Sequence, residues 1–331
     1  MEGNGSNDPR IQALLREGEQ KMKPGLMTKL IWGTSYDDAA DCFSKAGNLL
    51  KNAKNWDEAA RAYVKAADAQ ITGKSHTEAV SSLGNAATCF RKVAPQGVPL
   101  INAEATPRPA TTEAVGCLER AIGMLTDEGR FSMAAKYHKD IAEICENDLS
   151  DNKQAAAHYE RAAELYEGEP NSSSSVKPCL VKVAHFAAED GNYARGKELF
   201  EKLAAICLES RLGSYGAKEY LLKAGLCTLA EGDVIAAKKA LEKYMDMHPA
   251  FEREREFTLF SDVTTAVDNY DLELLMKTVT DYDSLTKIEP FVTTLLLKIK
   301  KMIVPEGDQD ITAGEGAENE EEGEEGESML I

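Results

Sequence analysis

"NAKNWDEAARAYVKAAD", residues 52–68, places Ala59, Tyr63 and Ala66 four and three residues apart. Positions i, i+4 and i+7 share one face of an α-helix, so the stretch predicts a helix whose buried stripe is mostly alanine. Alanine lets a neighbouring helix come close, and one such helix cannot stand alone. The arrangement recurs. Ala39 is followed by Phe43 and Ala46, Ala79 by Leu83 and Ala86, Ala114 by Leu118 and Ala121, and Ala134 by His138 and Ile141. Ala155 leads Tyr159 and Ala162, Gly196 leads Phe200 and Leu203, and a degenerate copy runs Ala236, Ala240, Lys243. With Ala59 included, the successive spacings are 20, 20, 35, 20, 21, 41 and 40 residues. One helix about every 20 residues and one hairpin about every 40 is the period of an α-solenoid, in which each hairpin packs on its neighbours. The expected fold is all-α, a solenoid over residues 11–250 of tetratricopeptide-like helical hairpins that lack the W-x-x-L-G-x-x-Y signature.

Two spacings depart from the period. The longer step after Ala79 contains "VAPQGVPLINAEATPRP", whose Pro95, Pro99, Pro107 and Pro109 exclude a continuous helix and mark an inserted loop over 93–111. The step from Ala155 to Gly196 skips a helix, expected near Cys179–Glu189 after the loop "GEPNSSSSVKP". Beyond residue 250 alanine gives way to bulkier side chains at helical spacing, in "FTLFSDVTTAVDNYDLELLMKTVTDYDSL" and "PFVTTLLLKIKKMI", which predicts a C-terminal helical bundle over 251–304.

The net charge of −18 disfavours nucleic acid as a partner, yet eleven of the acidic residues lie in 305–331, which has no Lys or Arg. That Glu- and Gly-rich segment cannot bury enough apolar surface to order itself and is expected to be a disordered acidic tail. Residues 1–10, "MEGNGSNDPR", are expected to be disordered too. No basic start with an apolar h-region is present, and no run approaches the ~18 apolar residues of a membrane span, so a soluble cytosolic chain is expected. The seven scattered cysteines never form C-x-x-C and read as small buried hydrophobes of a reducing compartment.

Chemistry-bearing motifs are missing. Neither G-x-x-x-x-G-K-[ST] nor G-x-G-x-x-G occurs, and His76, His138, His158, His185 and His248 have no metal-ligand spacing. His138 and His158 occupy repeat positions, where packing is the expected role. No nucleophile constellation is visible, so an adaptor without cofactor or metal is expected rather than an enzyme. One stretch fits no helix: "PGLMTKLIWG", 24–33, sets Leu26, Met27, Leu30, Ile31 and Trp32 between Gly25 and Gly33, which predicts an apolar loop over 24–34.

The stretches "NAKNWDEAARAYVKAAD", "DEGRFSMAAKYHKDIAEI" (127–144), "AAAHYERAAELYEGE" (155–169) and "TTLLLKIKKMI" (293–303) resemble the soluble NSF attachment proteins, closest to the alpha type, with the repeats in order from about residue 11 to 304. The resemblance implies an adaptor whose copies wrap an assembled SNARE four-helix bundle of syntaxin type. They recruit and stimulate the hexameric ATPase NSF, which disassembles the bundle in vesicle fusion and intracellular protein transport. It implies a cytoplasmic, peripherally membrane-associated protein. Leu26, Met27, Leu30, Ile31 and Trp32 stand where the family dips a loop into the membrane, and the flanking Lys21, Lys23 and Lys29 suit anionic headgroups. Packing of these five residues on the first hairpin is the competing reading.

For the SNARE bundle the resemblance points to Arg130, Lys136, Lys182, Lys218 and Lys223 on the concave face, with Leu212 and Tyr215 as apolar contacts. The family has a lysine where this chain has Pro178, and Lys177 lies one place earlier. For the ATPase it points to Asp233 and Asp268; Thr265 and Asn269 replace acids of relatives, which shifts that surface toward Asp271 and Glu273. A leucine near the last position stimulates ATP hydrolysis in the family, and here Leu330 and Ile311 both remain open for that role. A tetratricopeptide-type co-chaperone or scaffold, clamping a partner's carboxylate with concave lysines, would account for the repeat but not for the apolar loop.

Overall fold

The computed structural model describes residues 8–22, 35–93, 109–170, 172–210 and 213–303. They form fourteen α-helices and one 3-10 turn, with no strand among the described residues. In chain order the helices are α1 Pro9–Met22, α2 Tyr36–Asn52, α3 Trp56–Thr72, α4 His76–Val93, α5 Pro109–Asp127, α6 Phe131–Asn147 and α7 Asn152–Glu167. There follow α8 Ser173–Glu189, α9 Tyr193–Leu208, α10 Ser214–Glu231, α11 Val234–Met247, α12 Arg255–Asp268, α13 Leu272–Leu285 and α14 Pro290–Ile303. Contacts divide the chain into two units, Met1–Phe186 and Ala187–Ile331, with the division inside α8.

In the first unit each helix from α1 to α6 packs on the next, as a hairpin solenoid requires. The alanine stripes are the core. Ala39, Ala40, Phe43, Ala66 and Ala69 form one cluster between α2 and α3, closed by Leu15 and Met22 of α1. In the second unit α10 is central and packs on α9, α11, α12 and α14. It buries a continuous run from Leu221 to Ala230, the mark of a helix covered all round rather than along one stripe.

Seven turns share one construction. A left-handed residue precedes the residue that opens the next helix: Lys54 and Asn55, Lys74 and Ser75, Gly129 and Arg130, Ser150 and Asp151, Gly191 and Asn192, Gly232 and Asp233, Tyr270 and Asp271. In six of the seven, all but that at Asp233, the opening N–H reaches back across the turn, as from Asn55 to the Leu50 carbonyl (2.9 Å), Ser75 to Gln70 (2.8 Å), Arg130 to Leu125 (2.8 Å) and Asp271 to Ala266 (2.8 Å). This closure satisfies carbonyls that the helix end would otherwise leave open.

Four boundaries differ from expectation, each for a local reason. α1 starts at Pro9, inside the segment expected to be disordered, because proline suits the first helical position and Asp8 Oδ1 accepts from Arg10 N at 2.8 Å. α8 starts at Ser173 and carries Pro178 inside it. Ser172 nucleates that turn by accepting from Ser175 N (2.8 Å) and Val176 N (3.0 Å), so the proline forfeits one helical bond instead of ending the helix. Pro109 opens α5 rather than closing the loop before it. The buried stripe of α11 is Ala237, Ala240 and Tyr244, shifted from the expected Ala236 and Lys243.

Candidate functional site

Every described residue assigned to SNARE contact lies at or on α6, α8 or α10, alternate members of the helix series. In the first unit the alternate helices are neighbours. Arg130, which caps α6, reaches Thr77 Oγ1 of α4 at 3.5 Å and Glu128 at 3.7 Å. Arg91 of α4 faces Asp148 beyond α6 at 3.8 Å. Lys182 of α8 forms a short ion pair with Glu146 of α6, which also accepts from Tyr159 OH at 2.9 Å. Lys136 is exposed on α6 and enters no ion pair among the described residues. Lys177 is half-buried, one place before Pro178.

Between α4 and α6 lies a polar cleft of about 460 Å³ lined by Asn85, Thr88, Arg91, Lys136, Tyr137 and Asp140. The Arg91 Nε is buried without a hydrogen-bond partner. Burial, then the nearby Glu143, pushes the Asp140 carboxyl above its ordinary value, against the pull of Lys136 and Arg91. The charged side chains lining the cleft are two cations, Arg91 and Lys136, and one acid, Asp140. Arg91 was missed by sequence reasoning, since nothing in "CFRKV" separates a cleft-lining arginine from a solvated one.

In the second unit Tyr215 is 79% exposed at the start of α10. Lys218 bonds Glu254 at 2.9 Å and Glu256 at 3.3 Å, and the Glu254 bond holds its ammonium above the usual range. Lys223 is only 6% exposed and pairs with Glu289 at 2.7 Å, so its charge is spent inside the unit. The acids assigned to the ATPase are all exposed, at helix ends. Asp233 caps α11 by accepting from Ala236 N at 2.7 Å, and Asp271 caps α13 by accepting from Leu274 N at 2.9 Å. Asp268 at the end of α12 pairs with Lys238 of α11 at 2.7 Å, which brings those two helix ends together. Ile235 and Tyr270 stand exposed beside these acids, at 69% and 75%. They are apolar side chains in an acidic neighbourhood, visible only once the turns are placed. Thr265 and Asn269 close α12: the Thr265 hydroxyl donates to the Ser261 carbonyl at 3.0 Å, and Asn269 is the C-cap.

Leu26, Met27, Leu30, Ile31, Trp32, Leu212, Ile311 and Leu330 lie outside the described residues. Beside the first of these, Lys21 is bound to Glu17 at 2.8 Å and approaches Cys42 Sγ at 3.8 Å, which ties up one of the three flanking lysines. No helix of the described residues is long and apolar enough to cross a membrane. All seven cysteines are buried. His138 and His158 meet between α6 and α7 with their Nδ1 atoms 3.1 Å apart. Burial first, then His158 and Arg161, hold the His138 imidazole down to about 4, and burial also lowers His158.

A family model described as soluble NSF attachment protein, SNAP, matches residues 9–304. The alpha-soluble NSF attachment protein of Mus musculus is 36% identical over 310 residues, covering 93% of this chain and 98% of that protein. The protein of that name from Vitis vinifera is 36% identical over 288 residues, covering 87% and 93%. A probable vesicular-fusion protein sec17 homolog of Schizosaccharomyces pombe is 33% identical over 280 residues, covering 85% and 91%.

Proposed function

Because this chain belongs to the soluble NSF attachment protein family, we propose that it binds assembled SNARE four-helix bundles, brings the ATPase NSF to them and stimulates its ATP hydrolysis. The chain is an adaptor of vesicle fusion and not an enzyme. The observation that carries the finer reading is the placement of the first unit's candidate cations on the alternate helices α6 and α8, where a hairpin array offers a lengthwise binding surface. SNARE bundles are acidic outside, so Arg130, Lys136, Lys177 and Lys182 of the first unit steer the encounter, and Lys218 is proposed as a contact made by the second unit on its own. Lys223 acts through Glu289, holding α10 to the start of α14. Tyr215 supplies an exposed aromatic anchor of the kind that dominates interface energetics, and Leu212 is proposed beside it.

The acids Asp233, Asp268 and Asp271 meet a basic face of the ATPase, with Ile235 and Tyr270 as the apolar contacts among them. Leu330 supplies the stimulating leucine. The loop bearing Leu26, Met27, Leu30, Ile31 and Trp32 enters the membrane interface; one loop anchors weakly, and several copies on one bundle add by avidity. Co-sedimentation with SNARE-bearing liposomes tests the reading. The chain should pellet with them and should leave, with the bundle dismantled, when NSF and ATP are added. A chain that stays in the supernatant refutes it.

A further inference from the structure

An apolar cleft of about 520 Å³ runs between α13 and α14. Leu275 and Leu296 form its buried floor, and Met276 and Leu297, 45% and 55% exposed, stand along its walls. Large apolar side chains left half open on both walls mark a surface built to be covered. We propose that the occupant is a segment of this chain, Met329-Leu330-Ile331.

Three observations converge on that segment. The first is reach. α14 is itself a wall of the cleft, and the chain rises only about 15 Å from Thr293 to Ile303. A linker of about 25 residues has a root-mean-square span of roughly 25–30 Å, so the chain returns to the cleft without being stretched, at an effective concentration on the order of millimolar. The second is charge. The linker carries the eleven acids of 305–331 and no Lys or Arg, whereas α14 ends in Lys298, Lys300 and Lys301, none of them in an ion pair among the described residues. The acid on the cleft wall, Asp283, is engaged by Lys287 at 2.6 Å, and that bond keeps its carboxyl below the usual range. The linker is thus attracted along the α14 wall while its apolar end is delivered to the cleft. The third is fit. Met329-Leu330-Ile331 is the one run of consecutive large apolar residues in 305–331, and Met and Leu adapt readily to an irregular apolar cleft.

Docking withholds Leu330 from the ATPase until something competes for the cleft; this consequence rests on the proposed function, whereas the docking itself does not. The contact weakens with salt, because the linker's share of it is between exposed charges.

The test places photo-leucine, a diazirine isostere, at position 330 of the full chain, and maps the cross-links formed on irradiation by mass spectrometry. Intramolecular cross-links to residues 275–300 are expected, falling about tenfold in Leu297→Glu, where a carboxylate enters the apolar contact. The triple change Lys298→Glu, Lys300→Glu and Lys301→Glu should lower the yield as well. Leu297, Lys298 and Lys301 are exposed and Lys300 is half-buried, so circular dichroism should be unchanged. Cross-links that map elsewhere, that survive Leu297→Glu at full yield, or that form only between two chains overturn the proposal, the last by making a second copy the occupant. Neither SNARE bundle nor ATPase is present, so failure here leaves the adaptor function standing, and failure of liposome binding leaves the docking standing.

Discussion

Gly225 of α10 and Gly116 of α5 are both helical glycines, yet Gly→Ala should move stability in opposite directions at the two positions. A Cβ at Gly225 would run into Phe260 Cζ and lie 2.6 Å from its Cε1 and Cε2. Phe260 is fully buried in α12 and backed by the ring of Tyr244, 6.2 Å between centroids, which is itself fully buried and donates to Glu201 at 2.9 Å. The ring has nowhere to retreat, so α10 and α12 must separate. Overpacking of this kind costs ~1–3 kcal/mol, and the gain in helix propensity from Gly to Ala returns ~1 kcal/mol. With the contact so far inside van der Waals distance the cost falls at the upper end, and a net loss of about 2 kcal/mol is expected. At Gly116 nothing lies within 4 Å of the added Cβ, so only the gain of up to ~1 kcal/mol remains. At ~2–4 °C per kcal/mol, calorimetry should place the unfolding of Gly225→Ala about 4–8 °C lower and that of Gly116→Ala a few degrees higher. Hydrogen exchange should show the first loss in peptides of α10 and α12. Gly225→Ala matching or exceeding the parent protein in stability would refute the close packing of α10 on α12 and, with it, the account of α10 as the core helix that carries Tyr215 and Lys218.

Four further outcomes are expected. His138 titrates near 4 when folded and near 6.5 when unfolded, so its contribution is intact above pH 6.5 and is lost as pH falls toward 4; allowing for its partial exposure, the loss is about 1–2 kcal/mol. Urea titrations at pH 7.5 and 5 should show this slope flattened in His138→Asn, and an unchanged slope would discount the His138–His158 contact. Lys136→Glu with Lys182→Glu should weaken binding to SNARE bundles by more than tenfold with helicity retained, since acids would face an acidic partner; normal binding at ~0.15 M salt would remove the alternate-helix surface from consideration. Changing Leu30, Ile31 and Trp32 together to Ser should slow disassembly of membrane-anchored SNARE complexes and spare soluble ones, whereas equal loss on both would make these residues core. Leu330→Ala in the full chain should reduce stimulation of the ATPase, as should a stop after Thr312; if both are silent, Ile311 becomes the residue to change.

The solenoid was legible because its burial repeats. Ala59, Tyr63 and Ala66 are all buried, and so are their counterparts at Ala39, Ala79, Ala114 and Ala155, because one helix face must meet the next in every hairpin. The periodicity failed where a local device set the phase instead. Asp233 caps α11 and fixes its rotation, so that Ala237 rather than Ala236 faces inward. Four serines and Pro178 read as a loop, but the first of those serines, Ser172, starts α8. The seven like turns left no common sequence sign, because Lys54, Lys74, Ser150 and Tyr270 take the left-handed position as well as glycine.

Charge is harder still to read from sequence, since a lysine's availability depends on partners far along the chain. Lys223 finds Glu289, and Lys182 of α8 finds Glu146 of α6. Lys218 is held by two glutamates of the segment opening α12. The resemblance picks out all of these lysines alike, but the structure spends most of their charge internally and leaves Lys136 exposed and unpaired beside the Arg91 cleft. Electrostatic steering by the first unit should accordingly depend more on Lys136 than on Lys182. Removing the positive charge at Lys182 frees Glu146, so Lys182→Ala unmasks an acid on the same surface and weakens binding through that acid; Lys182→Ala combined with Glu146→Ala should restore much of it.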